Sequence, residues 1–146
     1  MRKSISLPFA AIAFVLSSCG LNQEKKMAEE VCACMQPTEA LISSPVRESL
    51  SAIPAKDMSS VQLQQAIEAI LQQPETIEED RELARQIFHE GMLANCLAIA
   101  QKNHPDAITL DAIESLRNMT TSLEASPCKL SALAFRLRWK QLEEAD

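Results

Sequence analysis

The sequence predicts an all-α fold: a small disulfide-linked helical bundle of four to six helices after a cleaved signal peptide. Three observations lead there. Apolar residues recur at helical spacing through most of the chain beyond residue 26. Two glycines and 3% aromatic residues leave little for tight hairpins or for the aromatic-rich strands of a β-sandwich. Of the five cysteines, four lie beyond Cys19 in the body of the chain, an even set suited to a covalent framework. With 47% apolar and 23% charged residues in 146, the composition is that of one folded domain, not of a disordered chain.

Residues 1–18 have the layout of an export signal. Arg2 and Lys3 form a positive start, and the run from Ile5 to Leu16 is apolar apart from Ser6 and too short to span a bilayer stably. The small residues Ser17 and Ser18 follow. Leu16-Ser17-Ser18-Cys19-Gly20 then resembles the lipobox of bacterial lipoproteins, with Cys19 where cleavage would leave the mature N-terminus. The resemblance covers about twenty residues. It implies a diacylglycerol thioether on Cys19, usually with an acylated amine, and so attachment to a membrane through an N-terminal lipid. Several acyl chains, at about 0.8 kcal/mol per buried CH2, hold far more firmly than one myristoyl group. Gly20 in place of Asp implies, by the same resemblance, the outer membrane of the cell envelope facing the periplasm. The expected organisation is residues 1–18 as lipoprotein signal peptide, 19–26 as acylated N-terminus and short tether, and 27–146 as helical domain. Extended, the tether GLNQEKK would reach about 25 Å.

With Cys19 acylated, Cys32, Cys34, Cys96 and Cys128 remain as disulfide candidates in an oxidising compartment. On a helix, Cys32 and Cys34 lie about 200° apart, so their Cβ vectors diverge and a bond between them is disfavoured. Two pairings stay open: Cys32 with Cys96 and Cys34 with Cys128, or the reverse. The alternative reading of the same residues is a periplasmic copper- or thiol-handling site using Cys32, Cys34 and Cys96. Met35, Met92 and His89 would complete a set of soft ligands. Against it, no C-x-x-C occurs, and methionines on apolar helix faces are usually core filler.

The remaining elements follow in order. Residues 23–36 form a first helix that Pro37 ends, with Thr38 capping a short turn over residues 39–43. Ser44-Pro45 opens a short helix reaching Ile53, which Pro54 closes. Residues 60–73 carry the clearest amphipathic pattern, with Leu63, Ala66, Ile67, Ile70 and Leu71 on one face and a Gln-rich solvated face opposite; Ser59 or Ser60 fits as N-cap. Thr76 and Glu79 form a capping box for a long helix to about Asn103. Its acidic start, Glu75, Glu78, Glu79, Asp80 and Glu82, suits the positive end of a helix dipole and lacks EF-hand spacing. From Gly91 to Ala100 that helix is apolar nearly all round, which predicts a buried central helix. Gly91 would sit at a close helix crossing there, and Asn95 would be buried with hydrogen-bond partners. Residues 107–119 repeat the helical pattern after His104-Pro105. Ser126-Pro127 precedes a last helix over about 128–143, although Phe135, Leu137 and Trp139 alternate with Arg136, Arg138 and Lys140 at strand spacing. This basic segment either faces lipid headgroups or an acidic partner, or pairs with the acidic start of the preceding long helix.

A net charge of −6, which becomes more negative by two once Arg2 and Lys3 are removed, argues against a nucleic-acid partner. No catalytic motif is present: His89-Glu90 lacks the second His of H-E-x-x-H, and there is no G-x-S-x-G. The helix bearing Cys32 and Cys34, over residues 27–37, resembles small helical Cys-containing lipoproteins of Gram-negative bacteria, a likeness that implies no activity. The expected role is therefore non-enzymatic, a membrane-anchored envelope protein that binds a partner protein or small ligand, with no cofactor.

Overall fold

A computed structural model describes residues 9–89, 91–107 and 112–146, with side chains from Gln23 onward. The expected start at residues 1–8 lies outside the described residues. Seven α-helices follow: α1 (Phe9–Leu41), α2 (Ser44–Ser51), α3 (Ser60–Leu71), α4 (Glu78–Phe88), α5 (Met92–Asn103), α6 (Ala112–Glu124) and α7 (Lys129–Ala145). A 3₁₀ turn at Ala55–Asp57 links α2 to α3. No strand occurs among the described residues. The fold is an all-α bundle, as the periodicity predicts.

Helix α1 runs through Pro37 instead of ending there. A mid-helix proline removes the hydrogen bond to the carbonyl four residues earlier. That carbonyl belongs to Ala33, and both Ala33 and Pro37 are exposed, so water can satisfy it. The opposite face of the same turns is deeply packed: Met27, Val31 and Met35 are fully buried, and Glu39 and Ile42 follow on the same side. Burial of that face holds the helix across the proline, and Thr38 lies within it instead of capping a turn. The backbone between Cys19 and Met27 is helical too, so the expected tether spans about 12 Å and not its extended reach.

Helices α2 and α3 lie close to their expected places. The N-cap of α2 is Ser43, one residue before the expected one, and Pro45 sits in the first turn. Ser59 caps α3: its hydroxyl accepts from the Gln62 amide, while the Gln62 side chain accepts from the Ser59 amide. Leu63, Ile67 and Leu71 are buried and the glutamines face out.

The long helix expected over 76–103 is two helices. Thr76 does not cap it; its hydroxyl donates to the Ile70 carbonyl and closes the exit from α3. Helix α4 ends at Phe88, and Gly91 adopts φ 76°, left-handed backbone that only glycine takes readily, as N-cap of α5. Gly91 is not at a helix crossing, since nothing lies within 4 Å of where a Cβ would stand. Helix α5 is not the central one either. Cys96 and Ala100 are its buried residues, Ile99 is 58% exposed, and Asn95 is exposed.

The central helix is α7. Residues Leu130 to Phe135 are buried without interruption, followed by Leu137, Trp139 and Lys140. All six other helices pack against it. Its strand-like alternation has a simple cause: a helix enclosed on all sides carries no amphipathic stripe, so its helical period is hidden. Ser126 closes the α6–α7 turn, donating to the Leu123 carbonyl and accepting from the Cys128 amide, and Cys128 is the N-cap.

The break at Gly91 makes a sharp prediction. In a continuous helix, Gly91→Ala would stabilise by about 1 kcal/mol. At a left-handed N-cap with open space around it, the same change should destabilise by about 1–2 kcal/mol through backbone strain alone. Urea unfolding of the two proteins decides, and a more stable alanine variant would contradict the break.

Candidate functional site

Cysteine chemistry is the most distinctive feature of the chain, and the structure joins the four body cysteines in pairs. Cys32 bonds Cys128 with Cα atoms 5.6 Å apart, and Cys34 bonds Cys96 with Cα atoms 5.8 Å apart. This is the second of the two pairings the sequence leaves open. The divergence of Cys32 and Cys34 around α1 directs one bond to the start of α7 and the other to α5. The bonds span 96 and 62 residues. Loops of that size correspond to about 4–5 kcal/mol each in the chain-entropy account. Cys19 falls on α1, and its side chain lies outside those described.

While bonded in this way, Cys32, Cys34 and Cys96 offer no thiolate to a metal. His89 pairs with Glu68 at 3.2 Å, and Met92 packs against the apolar core. Among the described residues no cluster of three or more His, Cys, Asp or Glu has the geometry to hold a metal ion.

Three acidic side chains have a role the sequence does not reveal. Each caps the start of a helix far from it in the chain. Glu39 of α1 is buried and accepts from the Leu130 amide at 2.7 Å, the Ser131 amide at 3.3 Å and the Ser131 hydroxyl at 2.6 Å, in the first turn of α7. Asp80 of α4 accepts from the amide and hydroxyl of Ser43, the N-cap of α2, at 3.0 and 2.5 Å. Glu144 of α7 accepts from the Ser60 amide at 2.9 Å and from the Ser60 hydroxyl, where α3 begins. Carboxylates are favoured at such ends because they meet both the unpaired amides and the positive end of the dipole. Burial pushes the Glu39 carboxyl above its usual range, against the pull of its hydrogen bonds to Ser131 and Leu130. The Ser60 hydrogen bonds hold Glu144 below that range. Glu30 is held low as well, first by its hydrogen bond with His104 at 2.8 Å and then by that with Asn103.

The basic end of the chain turns inward. It does not pair with the acidic start of α4, where Glu78 meets Arg81 and Arg85 instead. Arg136 pairs with Glu124, and Lys129 donates to the Glu124 carbonyl. Lys140 is buried and donates to the carbonyls of Lys56 and Met58, closing the loop before α3. Trp139 is 8% exposed and lies against three cations: Arg117 at 4.8 Å, Lys140 at 5.5 Å and Arg136 at 5.6 Å from its ring centre. Arg117 in turn pairs with Glu143. Arg138 alone of the four basic residues points to solvent without a salt bridge or hydrogen bond among the described residues. The segment therefore ties α7 to α6 and to the α2–α3 loop, with Lys129 and Arg138 left exposed.

A groove of about 630 Å³ lies between α5 and α7, with Phe88 of α4 and Leu116 of α6 also lining it. Leu93 and Leu97 line it from α5 and Leu137 and Leu142 from α7, with the polar side chains of His89, Gln101 and Arg138 among its lining. Its size is that of small-ligand sites. A second groove of about 610 Å³ lies between α1 and α6 beside Cys32. No sequence signal points to either, because each is made by residues from helices distant in the chain. Comparison with protein-family models, with curated proteins and with solved structures found no match.

The raised Glu39 carboxyl sets a pH dependence. A raised folded-state pKa means that the group's contribution to stability is fully present below its ordinary value of 4.5 and is lost as pH rises through the raised one. Glu39→Gln removes that dependence while keeping the side-chain shape. The stability of the variant relative to the parent should therefore increase as pH rises from 4.5 toward neutrality, and the effects of Glu30 and Glu144 cancel in the difference. Urea unfolding of both proteins across that window is the measurement; a difference that stays flat or declines would contradict a buried, ionisation-resistant Glu39.

Proposed function

We propose that this chain is a lipid-anchored bacterial envelope protein with a non-enzymatic binding role, attached to the outer membrane through Cys19 and facing the periplasm. The observation that carries the reading is the pair of disulfides on α1, the helix that also contains the lipobox-like sequence. Disulfides persist in oxidising compartments and are rare in the cytosol. Two of them in one small domain agree with the export layout of residues 1–18. Met27, the first buried residue among the described side chains, follows Cys19 by only two helical turns, so the anchored domain would lie against the bilayer. No described helix is long and apolar enough to cross a membrane, and the acyl group supplies the attachment in this reading. The apolar groove between α5 and α7 is of a size to accept a ligand, which supports binding as the role.

Metabolic labelling with an alkyne fatty acid tests the anchor. In an expressing Gram-negative host the parent protein should take up label and pellet with the outer membrane. Cys19→Ala should lose the label and leave the membrane fraction. An unlabelled parent, or label that survives the substitution, would overturn the proposal.

A further inference from the structure

We propose that the Cys34–Cys96 disulfide is a redox clasp on α5: its reduction frees α5 from α1 and opens the α5–α7 groove, while Cys32–Cys128 stays closed and the bundle stays folded. This goes beyond the lipid-anchor reading and does not depend on it.

The two disulfides are set in different surroundings. Cys32 is 8% exposed and Cys128 fully buried, and their bond lies at the first turn of the central helix. Cys96 is buried as well, but Cys34 is partly exposed on α1. A thiolate must reach one sulfur of a disulfide to attack it, so access sets the order of reaction. Cys34 is the one cysteine of the four that is not buried, while Cys32 borders the groove between α1 and α6 with little of its own surface exposed.

The helix held by that bond is the most lightly embedded of the longer ones. Two of its twelve residues are buried, against nine of seventeen in α7. Its other polar ties to α1 are the exposed hydrogen bond of Asn103 to Glu30 and the half-buried one of His104 to the same carboxylate, both at its C-terminal end. At its N-terminal end the left-handed turn at Gly91 separates it from α4, so α5 can depart without unwinding its predecessor. Few fully buried side chains and a backbone break at one end are the properties of a unit that opens locally, and the packing of α5 along α1 is what the opened state must give up. Because Leu93 and Leu97 line the groove, departure of α5 removes that wall.

The chemistry is ordinary thiol–disulfide exchange with an external dithiol. One thiolate of the reductant attacks Cys34 Sγ, the Cys34–Cys96 bond breaks, and Cys96 leaves as thiolate and takes up a proton. The second thiol of the reductant then attacks the mixed disulfide, closing its own disulfide and releasing Cys34 as thiol. Two electrons and two protons pass to the protein, and the dithiol is oxidised.

The test uses the purified, oxidised full chain with Cys19→Ala, so that the four body cysteines alone report. Dithiothreitol is added in steps, free thiols are trapped with iodoacetamide, and each cysteine is scored by mass spectrometry alongside hydrogen exchange. Cys34 and Cys96 should be trapped at least about tenfold faster than Cys32 and Cys128. At that stage amides of 92–103 should exchange at least about tenfold faster while those of 129–145 keep their protection. The double variant Cys34→Ser, Cys96→Ser should show the same exchange pattern without reductant. Reaction of Cys32 and Cys128 first or together with the other pair would overturn the proposal. So would unchanged protection of α5 after clean reduction, or loss of protection throughout the bundle in the double variant.

Discussion

The structure depends on the joint between α1 and the first turn of α7. A helix start leaves amides without intrahelical partners, and a buried start must find them elsewhere. Here the N-cap, Cys128, makes no side-chain cap. Glu39 takes its place from α1 and accepts from Leu130 and Ser131, while Cys32, two turns earlier on α1, is bonded to Cys128 itself. The covalent bond and the carboxylate thus hold the same turn from the same helix. Placing a carboxylate there has an electrostatic cost, seen in its raised pKa, because its hydrogen bonds do not fully offset the loss of water. The joint is nonetheless needed: every other helix packs on α7, so the position of its first turn fixes the rest.

The same device recurs at smaller stake. Asp80 secures the start of α2 and Glu144 the start of α3. Long-range carboxylates thus do at three helix starts what a local Ser or Asp does in most helices. This places three of the chain's acids in the fold itself. The acidic balance of the sequence is therefore in part an architectural property and not a signature of a ligand. The basic end of α7 is the counterpart, with Lys140 satisfying backbone carbonyls and Arg136 neutralised by Glu124.

How much of this was legible follows from the range of the interactions. Helix α3 was readable almost to the residue, because its amphipathic pattern and its Ser59–Gln62 capping box are both local. The exclusion of a Cys32–Cys34 bond was readable for the same reason. Choosing between the remaining pairings was not, since it requires knowing which helix lies on each side of α1. Pro37 misled because the rule that proline ends a helix leaves out a buried face strong enough to carry the helix past it. The exchange of roles between α5 and α7 has the most instructive cause. Helix α5 is rich in alanine and apolar all round, which reads as central, yet hydrophobicity does not reveal whether neighbours exist to cover it. Helix α7 carries Arg136, Arg138 and Lys140 and reads as peripheral, yet long cationic side chains bury their stems and bring their heads to acceptors or to Trp139. The acid caps and the grooves join residues from helices far apart in the chain, beyond the reach of any local pattern.

Helix α1 concentrates the chain's covalent chemistry: both disulfides and, in the proposed reading, the acyl anchor. The consequence is mechanical. In that reading a load applied through Cys19 would enter α1 and reach the core helix through Cys32–Cys128. The Cys34–Cys96 bond joins α1 to the outer helix α5 instead. One disulfide thus joins α1 to the core helix, and the other joins it to a wall of the groove. Two bonds two residues apart on one helix can then differ in function, because they leave α1 on different faces and end on elements of different burial.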